Sequence, residues 1–429
     1  MGILPPIRGD GTPPNRVPVQ EGIPRIHPGG QGEFLDKIET GEELLEINMG
    51  PQHPSTHGVL RLVLSLDGEH VRACRPDIGY LHTGFEKTAE THTYQQANTL
   101  TDRMDYLSPL TNNLAYVLAV EKLMDIEVPK RAQYIRVLFS ELSRLGSHLV
   151  WLGTHVMDLG AMSLLFYCLR ERELILDLIE QTAGVRMNPS YFRVGGLAYD
   201  LPEGFHENCQ RFLDGFPRWM QSYKNLVQGN PLIEDRLKGV GRLSKEDALA
   251  LSATGPILRA SGVPMDLRKS APYCFYDEFD FDVPVRTGGD SYDRFWVRME
   301  EMEQSVRIMN QALAKIEPVG AYTTTDRKVS LPPREEIYGN MEALIHQFKL
   351  VSGGFRVPKG EVYQGVEGPK GEMGFYIVSD GGARPYRWRA RTPSFYNLQT
   401  MPAMTRGGLV ADVIVAIGTI DIVLGDVDK

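Results

Sequence analysis

The sequence predicts an α+β protein, a central bundle of long helices flanked by antiparallel β-sheet. Three observations predict it. Long stretches with a helical apolar period occupy the middle of the 429-residue chain. Short alternating runs punctuated by Gly, Pro and Asp lie toward both ends. No internal repeat or charged low-complexity tract interrupts them.

In order along the chain, residues 1–32 hold seven prolines and seven glycines and have no apolar run, so they predict an extended arm and not a signal peptide. Residues 33–107 predict a β-rich region. Leu60, Leu62, Leu64 and Leu66 alternate on one face, Asp67-Gly68 supplies a tight turn, and Val71 with Ala73 follow on the return strand. Residues 108–330 predict the helical core. Ser108 stands as N-cap and Pro109 as the first helical residue, with Leu110, Leu114 and Leu118 facing inward. Helices are expected at about 131–157, 160–183, 203–228 and 289–316, the second closed by Gly184. Asp158, between the first two of these, suits the N-cap of the next helix. The last region, 331–429, predicts a helix at about 334–349, then strands over Glu361–Val366, Glu372–Ser379 and Pro385–Arg391.

Bulk properties exclude several classes. The chain carries 46 Lys plus Arg against 55 Asp plus Glu, a net charge of −9, which argues against nucleic acid as a partner. No run approaches about 18 uninterrupted apolar residues, the length a membrane-spanning helix needs. The most apolar stretch, Gly407 to Gly425, is broken by Asp412 and Asp421. Cysteines 74, 168, 209 and 274 form no C-x-x-C pair, so this chain is not expected to hold an iron–sulfur cluster or structural zinc, and they read as buried, reduced thiols. His53 and His57 are four apart, but Pro51 and Pro54 make the helix that a zinc pair needs unfavourable.

The segment Asp102-Arg103-Met104-Asp105-Tyr106-Leu107-Ser108 resembles the stretch of nickel–iron hydrogenase large subunits in which a C-x-x-C pair grips the metal. Asp105 and Ser108 hold the two thiolate positions. The C-terminal Asp421-Ile422-Val423-Leu424-Gly425-Asp426-Val427-Asp428-Lys429 resembles the second hydrogenase motif, with Val423 and Asp426 in place of its cysteines. Nickel and iron need soft thiolates, and valine has no lone pair. Gly50-Pro51-Gln52-His53-Pro54-Ser55-Thr56-His57-Gly58-Val59-Leu60-Arg61 resembles the signature of the D subunit of respiratory complex I, the proton-pumping NADH:quinone oxidoreductase. Val128-Pro129-Lys130-Arg131-Ala132, Leu258-Arg259-Ala260-Ser261-Gly262, Asp266-Leu267-Arg268-Lys269, Phe281-Asp282-Val283-Pro284 and Val378-Ser379-Asp380-Gly381-Gly382 match the same family. The resemblance runs from about residue 40 to the end, and implies the hydrogenase large-subunit fold without its metal site.

The resemblance further implies that the emptied cavity reduces quinone. Quinone reduction takes two electrons and two protons, so donors must be aimed at its carbonyl oxygens. The implied pair is His57 and Tyr106, with Asp158 as the carboxylate partner of His57. Thr154, Asp421, Val423 and Leu424 are implied to line the cavity. Arg103 is implied to lie near a [4Fe-4S] cluster held by an adjacent small iron–sulfur subunit; in isolation it reads as a salt-bridged arginine. The other implied partners are C-type and ferredoxin-like subunits of the hydrophilic arm and an H-type membrane subunit where quinone enters. The chain would then sit peripherally on the cytoplasmic side of a bacterial inner membrane. Asn188 departs from a histidine of many relatives, Lys429 from their terminal arginine, and Thr83 from a modified arginine. Two rivals remain at this point: a membrane-bound hydrogenase large subunit, opposed by the lost thiolates, and a purely structural scaffold, opposed by His57, Tyr106 and Asp158 together.

Overall fold

The computed structural model describes residues 44–53, 56 and 58–429. The arm expected over 1–32 lies outside the described residues, and so does His57.

Strands β1 (Leu45–Met49), β2 (Arg61–Asp67) and β3 (His70–Asp77) form an antiparallel meander in that order. Leu60, Leu62, Leu64 and Leu66 are all buried, as their alternation predicts, and join Ile257, Val413, Ile417 and Leu424 in one cluster. Two details differ from expectation. The last pair of the hairpin is Asp67 with His70, so the turn is Gly68-Glu69, one residue later. Gly68 takes φ +59° there, where a side chain would be strained. The register also shifts at Ser65/Leu66, which pair with Ala73 and Val71. That bulge turns Cys74 inward in place of Ala73.

Helices α1 (Phe85–Thr91) and α2 (Tyr94–Thr101) lead to α3 (Pro109–Met124). Pro109 is its first residue as predicted, but the Ser108 hydroxyl donates to Asp105 Oδ2 at 2.8 Å and makes no cap bond. The long helices α4 (Lys130–Asp158) and α5 (Ser163–Ala183) follow, and Gly184 closes α5 with φ +75°. Asp158 does not cap α5. It is the last residue of α4, and Met162 precedes α5. The two-residue strands β4 (Phe192–Arg193) and β5 (Gly196–Leu197) come next, then α6 (Phe205–Val227). The short helices α7 (Pro231–Leu237), α8 (Lys245–Ala250), α9 (Pro256–Ala260) and α10 (Leu267–Ser270) precede α11 (Ser291–Lys315). The helix expected at 334–349 is broken at Asn340, whose side chain accepts from Glu342 N, giving α12 (Arg334–Gly339) and α13 (Met341–Gly353).

A second antiparallel sheet, β6 (Gly360–Gly368), β7 (Gly371–Ser379) and β8 (Arg387–Arg391), packs on α3, where Tyr116 meets Phe375 edge-on at 5.7 Å between ring centres. Short α14 (Pro393–Leu398) and α15 (Met401–Thr405), then α16 (Val410–Ile420) and α17 (Leu424–Val427), complete the chain.

Helix α4 is the axis, with α3, α5, α11 and α16 packed on it. Its residues Glu141, Arg144, His148, Trp151, His155 and Asp158 recur at alternating spacings of three and four, so they share one face. Apart from the half-buried Asp158, all of that face is buried. Helix α11 runs antiparallel beside it. Ser305 Oγ donates to Glu141 at 2.7 Å, His148 Nε2 lies 3.0 Å from Glu301, and the Arg298 guanidinium covers the Trp151 ring at 4.7 Å. Partners from other segments complete the balance. Arg259 binds Glu301 at 2.6 Å and Glu367 at 2.7 Å, and Arg268 binds Asp266 at 2.6 Å and Glu141 at 3.1 Å. Burial alone would raise the Glu141 pKa, but Arg144 and Arg268 outweigh it and hold the carboxylate down at about 2. Burial keeps His148 neutral by pulling it to about 4 despite Glu301. Among the described residues no helix is long and apolar enough to cross a membrane.

Candidate functional site

The segments 102–108 and 421–429, whose motifs resemble the metal-binding ones, meet. The α17 turn packs so tightly against the 103–105 segment that a Cβ on Gly425 would stand 2.6 Å from the Met104 carbonyl oxygen. Only glycine allows that approach. Beyond it the chain end is tied down, with Gly79 N and Leu81 N both donating to the Asp428 carboxylate, at 2.9 and 2.8 Å. Val423 and Leu424 are buried. A Cβ on Gly58 would lie 3.5 Å from Leu424 Cδ1, so the loop that carries the histidine motif reaches the same segment.

A residue the sequence reasoning missed sits between the two segments. Lys370, in the turn joining β6 and β7, is buried, with its ammonium 3.0 Å from Asp105 Oδ2, 2.7 Å from Ser147 Oγ and 3.8 Å from Asp421 Oδ2. Burial disfavours that charge, but Asp105, Asp421 and Asp426 outweigh it and hold the lysine above its ordinary pKa. Its sequence context, Gly368-Pro369-Lys370-Gly371, reads as a solvated hairpin turn, and only the fold shows it buried. The carboxylates respond in kind. Burial pushes Asp421 up to about 6 against the pull of Lys370 and Arg298. Burial and then Asp105 push Asp426 to about 6, where its Oδ2 accepts from Ser394 N at 3.0 Å.

Tyr106 lies at the rim of this cluster. It is half-buried in a small cleft lined by Leu142, Ser143 and Gly146 of α4 and by Ile175 and Ile179 of α5. Burial, then the neighbouring Asp105, raise its pKa, with Asp421 adding to them, so the phenol keeps its proton and can donate. Arg103 is exposed and donates to Thr99 O instead of to a carboxylate, unlike the salt-bridged arginine it reads as in isolation.

Thr154 and Asp158 lie further along α4. Thr154 spends its hydroxyl on Val150 O at 2.9 Å. Burial raises Asp158 to about 6. Counting from Gly146 in the Tyr106 cleft, Asp158 is on the order of 18 Å along the helix, at 1.5 Å per residue. The fold therefore gathers Tyr106, Asp105 and Asp421 around Lys370, with Asp158 at the C-terminal end of α4.

Among the described residues no group of three or more His, Cys, Asp or Glu side chains is arranged to hold a metal ion. The Lys370 ammonium pairs with Asp105, and Val423 offers no ligand atom. All four cysteines are buried, free thiols.

Residues 158–429 match the family model described as the 49 kDa subunit of respiratory-chain NADH dehydrogenase. The chain belongs to that family. It is 56% identical over 393 residues to an NADH-quinone oxidoreductase D subunit of Koribacter versatilis, covering 91% of this chain and 98% of that one. It is 55% identical over 394 residues to a D subunit of the same name from Solibacter usitatus, covering 92% and 96%. Against the D subunit of Citrifermentans bemidjiense it is 53% identical over 387 residues, covering 90% and 99%. A member of this family is one part of a multisubunit NADH:quinone oxidoreductase, so its partners are other subunits of the complex.

Proposed function

We propose that the cluster around Lys370 forms the wall of the site at which this complex reduces quinone. The observation that carries the reading is a buried array of one ammonium and three carboxylates, in which Lys370 is hydrogen-bonded to Asp105 and lies near Asp421 and Asp426, with a protonated phenol at its rim. Such an array handles protons and developing negative charge, which is what quinone reduction demands. Tyr106 donates to one carbonyl oxygen. His57 donates to the other, with Asp158 as the carboxylate that favours its charged form. Thr154, Val423 and Leu424 shape the cavity around the ring.

Electrons reach quinone from a [4Fe-4S] cluster held by the adjacent small iron–sulfur subunit, on the side of Arg103. C-type and ferredoxin-like subunits extend the arm, and an H-type membrane subunit borders the quinone entrance. The chain works peripherally on the cytoplasmic side of the bacterial inner membrane. The test is a structure of the assembled complex with a quinone analogue bound. The headgroup should lie within hydrogen-bond distance of Tyr106. A headgroup bound away from both Tyr106 and the 421–426 segment would refute the placement.

A further inference from the structure

Arg298 is a buried cation with an unusual set of partners. Its Nη2 donates to Ile420 O at 3.3 Å, its guanidinium lies over Trp151 at 4.7 Å, and its Nε and Nη1 are buried with no hydrogen-bond partner among the described residues. Ile420 is the last residue of α16, so the guanidinium sits at the negative end of a helix dipole. The next residue is Asp421, held in the left-handed region at φ +58°. Arg294, one turn earlier on α11, is equally buried; its Nη atoms donate to Thr419 Oγ1 and to the carbonyls of Gly241 and Gly289, while its Nε makes no hydrogen bond among the described residues. Among the described residues neither arginine makes a hydrogen bond to a carboxylate, whereas Arg259 and Arg268 nearby are each hydrogen-bonded to two acidic residues.

We propose that Arg298 is a positioning residue of the quinone site, acting from beneath its wall to keep Asp421 ionised, so that Asp421 and Asp105 together hold the Lys370 ammonium in place. The proposal rests on the quinone-site reading above. The charges facing Asp421 come from three elements. Lys370 in the β6–β7 turn and Arg298 on α11 favour its ionised form, while Asp105 before α3 opposes it. Tyr106 feels the Asp421 charge in turn. Glu301, one turn from Arg298 on the same helix, supports the guanidinium, whose own pKa is lowered first by burial. With two cations against its burial, Asp421 balances at about 6, so it is ionised at neutral pH by a narrow margin. Removing one cation should cross that margin.

The experiment measures NADH:quinone activity of the assembled complex from pH 5 to 8, normalised to NADH:ferricyanide activity. It is paired with an infrared titration of the Asp421 carboxyl, identified by difference from Asp421→Asn. Arg298→Gln should move both the acid limb and the carboxyl midpoint up by about one pH unit or more, and Arg298→Lys should restore most of both. If Arg298→Gln fails to assemble, Trp151→Leu, which removes the aromatic face under the guanidinium, should move the midpoint the same way by less. A uniformly lower rate with an unmoved carboxyl midpoint would overturn the proposal. A moved midpoint with an unmoved acid limb would uphold the link between Arg298 and Asp421 and count instead against the quinone site.

Discussion

Lys370 shows how one residue can balance a buried acidic cluster. Breaking a buried ion pair by removing one partner costs about 3–5 kcal/mol, because the other charge stays buried. Lys370→Met should therefore sharply reduce the amount of assembled complex, and Lys370→Met combined with Asp105→Asn should recover part of the loss. Complex abundance on native gels checks both. A double variant no better than the single would mean that the pair is not the source of the cost. The acids of the site also set a pH dependence. Asp421 and Asp426 have folded pKa values near 6, raised above the ordinary 3.8. Their contribution to stability is therefore full below about pH 4 and is lost as pH rises through 6. Glu141, depressed to about 2, has the opposite sign, with a contribution present above its unfolded pKa and lost as pH falls through 2. Thermal inactivation of the complex compared at pH 5 and pH 7.5 should show a smaller loss on going to the higher pH in Asp421→Asn than in the parent. An equal loss in both would show that Asp421 does not carry that dependence.

At the scale of elements, glycines at close approaches explain how the helices meet. A Cβ on Gly418 of α16 would come within 2.2 Å of His155 Nδ1, beside the bond from Trp151 Nε1 to Gly418 O at 2.9 Å. Gly418→Ala must therefore push α16 off α4, and Gly425→Ala must push α17 off the Tyr106 segment. Both should lower quinone reductase activity at least several-fold while NADH:ferricyanide activity of the assembled complex holds; unchanged quinone activity in either would show that the contact is not needed. The helices were legible in the sequence because their apolar period is long, and α4, α5, α6 and α11 fall within a few residues of expectation. Events decided by a single contact were not. The β2–β3 bulge at Ser65/Leu66, the break at Asn340, and the place of Asp158 at the end of α4 leave no periodic trace. Nor did the polar face of α4 and α11, because its residues keep helical spacing but are charged, and sequence pattern assigns charge to solvent. The motif positions Asp105, Val423 and Asp426 pointed to the place of the proposed site. Lys370 and Arg298, which balance its charge, come from distant segments and carry no motif.

The molecule as a whole presents apolar stripes to solvent. On α13, Met341, Leu344, Ile345, Phe348 and Val351 are exposed, Met341 by 76% and Phe348 by 70%, while Ala343 and Leu350 face inward. Met162 just before α5, and Phe166, Tyr167 and Leu169 on it, are exposed near the end that follows Asp158. Surfaces of this kind belong to a chain that is covered by partners, as expected of one subunit of a larger complex. The isolated chain should aggregate or stay bound to chaperones at concentrations where a monomeric enzyme would not, and Phe348→Lys should make it more soluble and the complex less abundant. Monodisperse behaviour of the unmodified chain in light scattering would contradict this. The central claim, that quinone is reduced beside Tyr106, is tested most directly by Tyr106→Phe in the assembled complex. The change removes one hydroxyl and keeps the ring, so NADH:ferricyanide activity should be unchanged. NADH:quinone activity should fall on the order of 10²-fold, the loss of one preorganised donor. A wild-type rate with both short- and long-tailed quinones would contradict the claim.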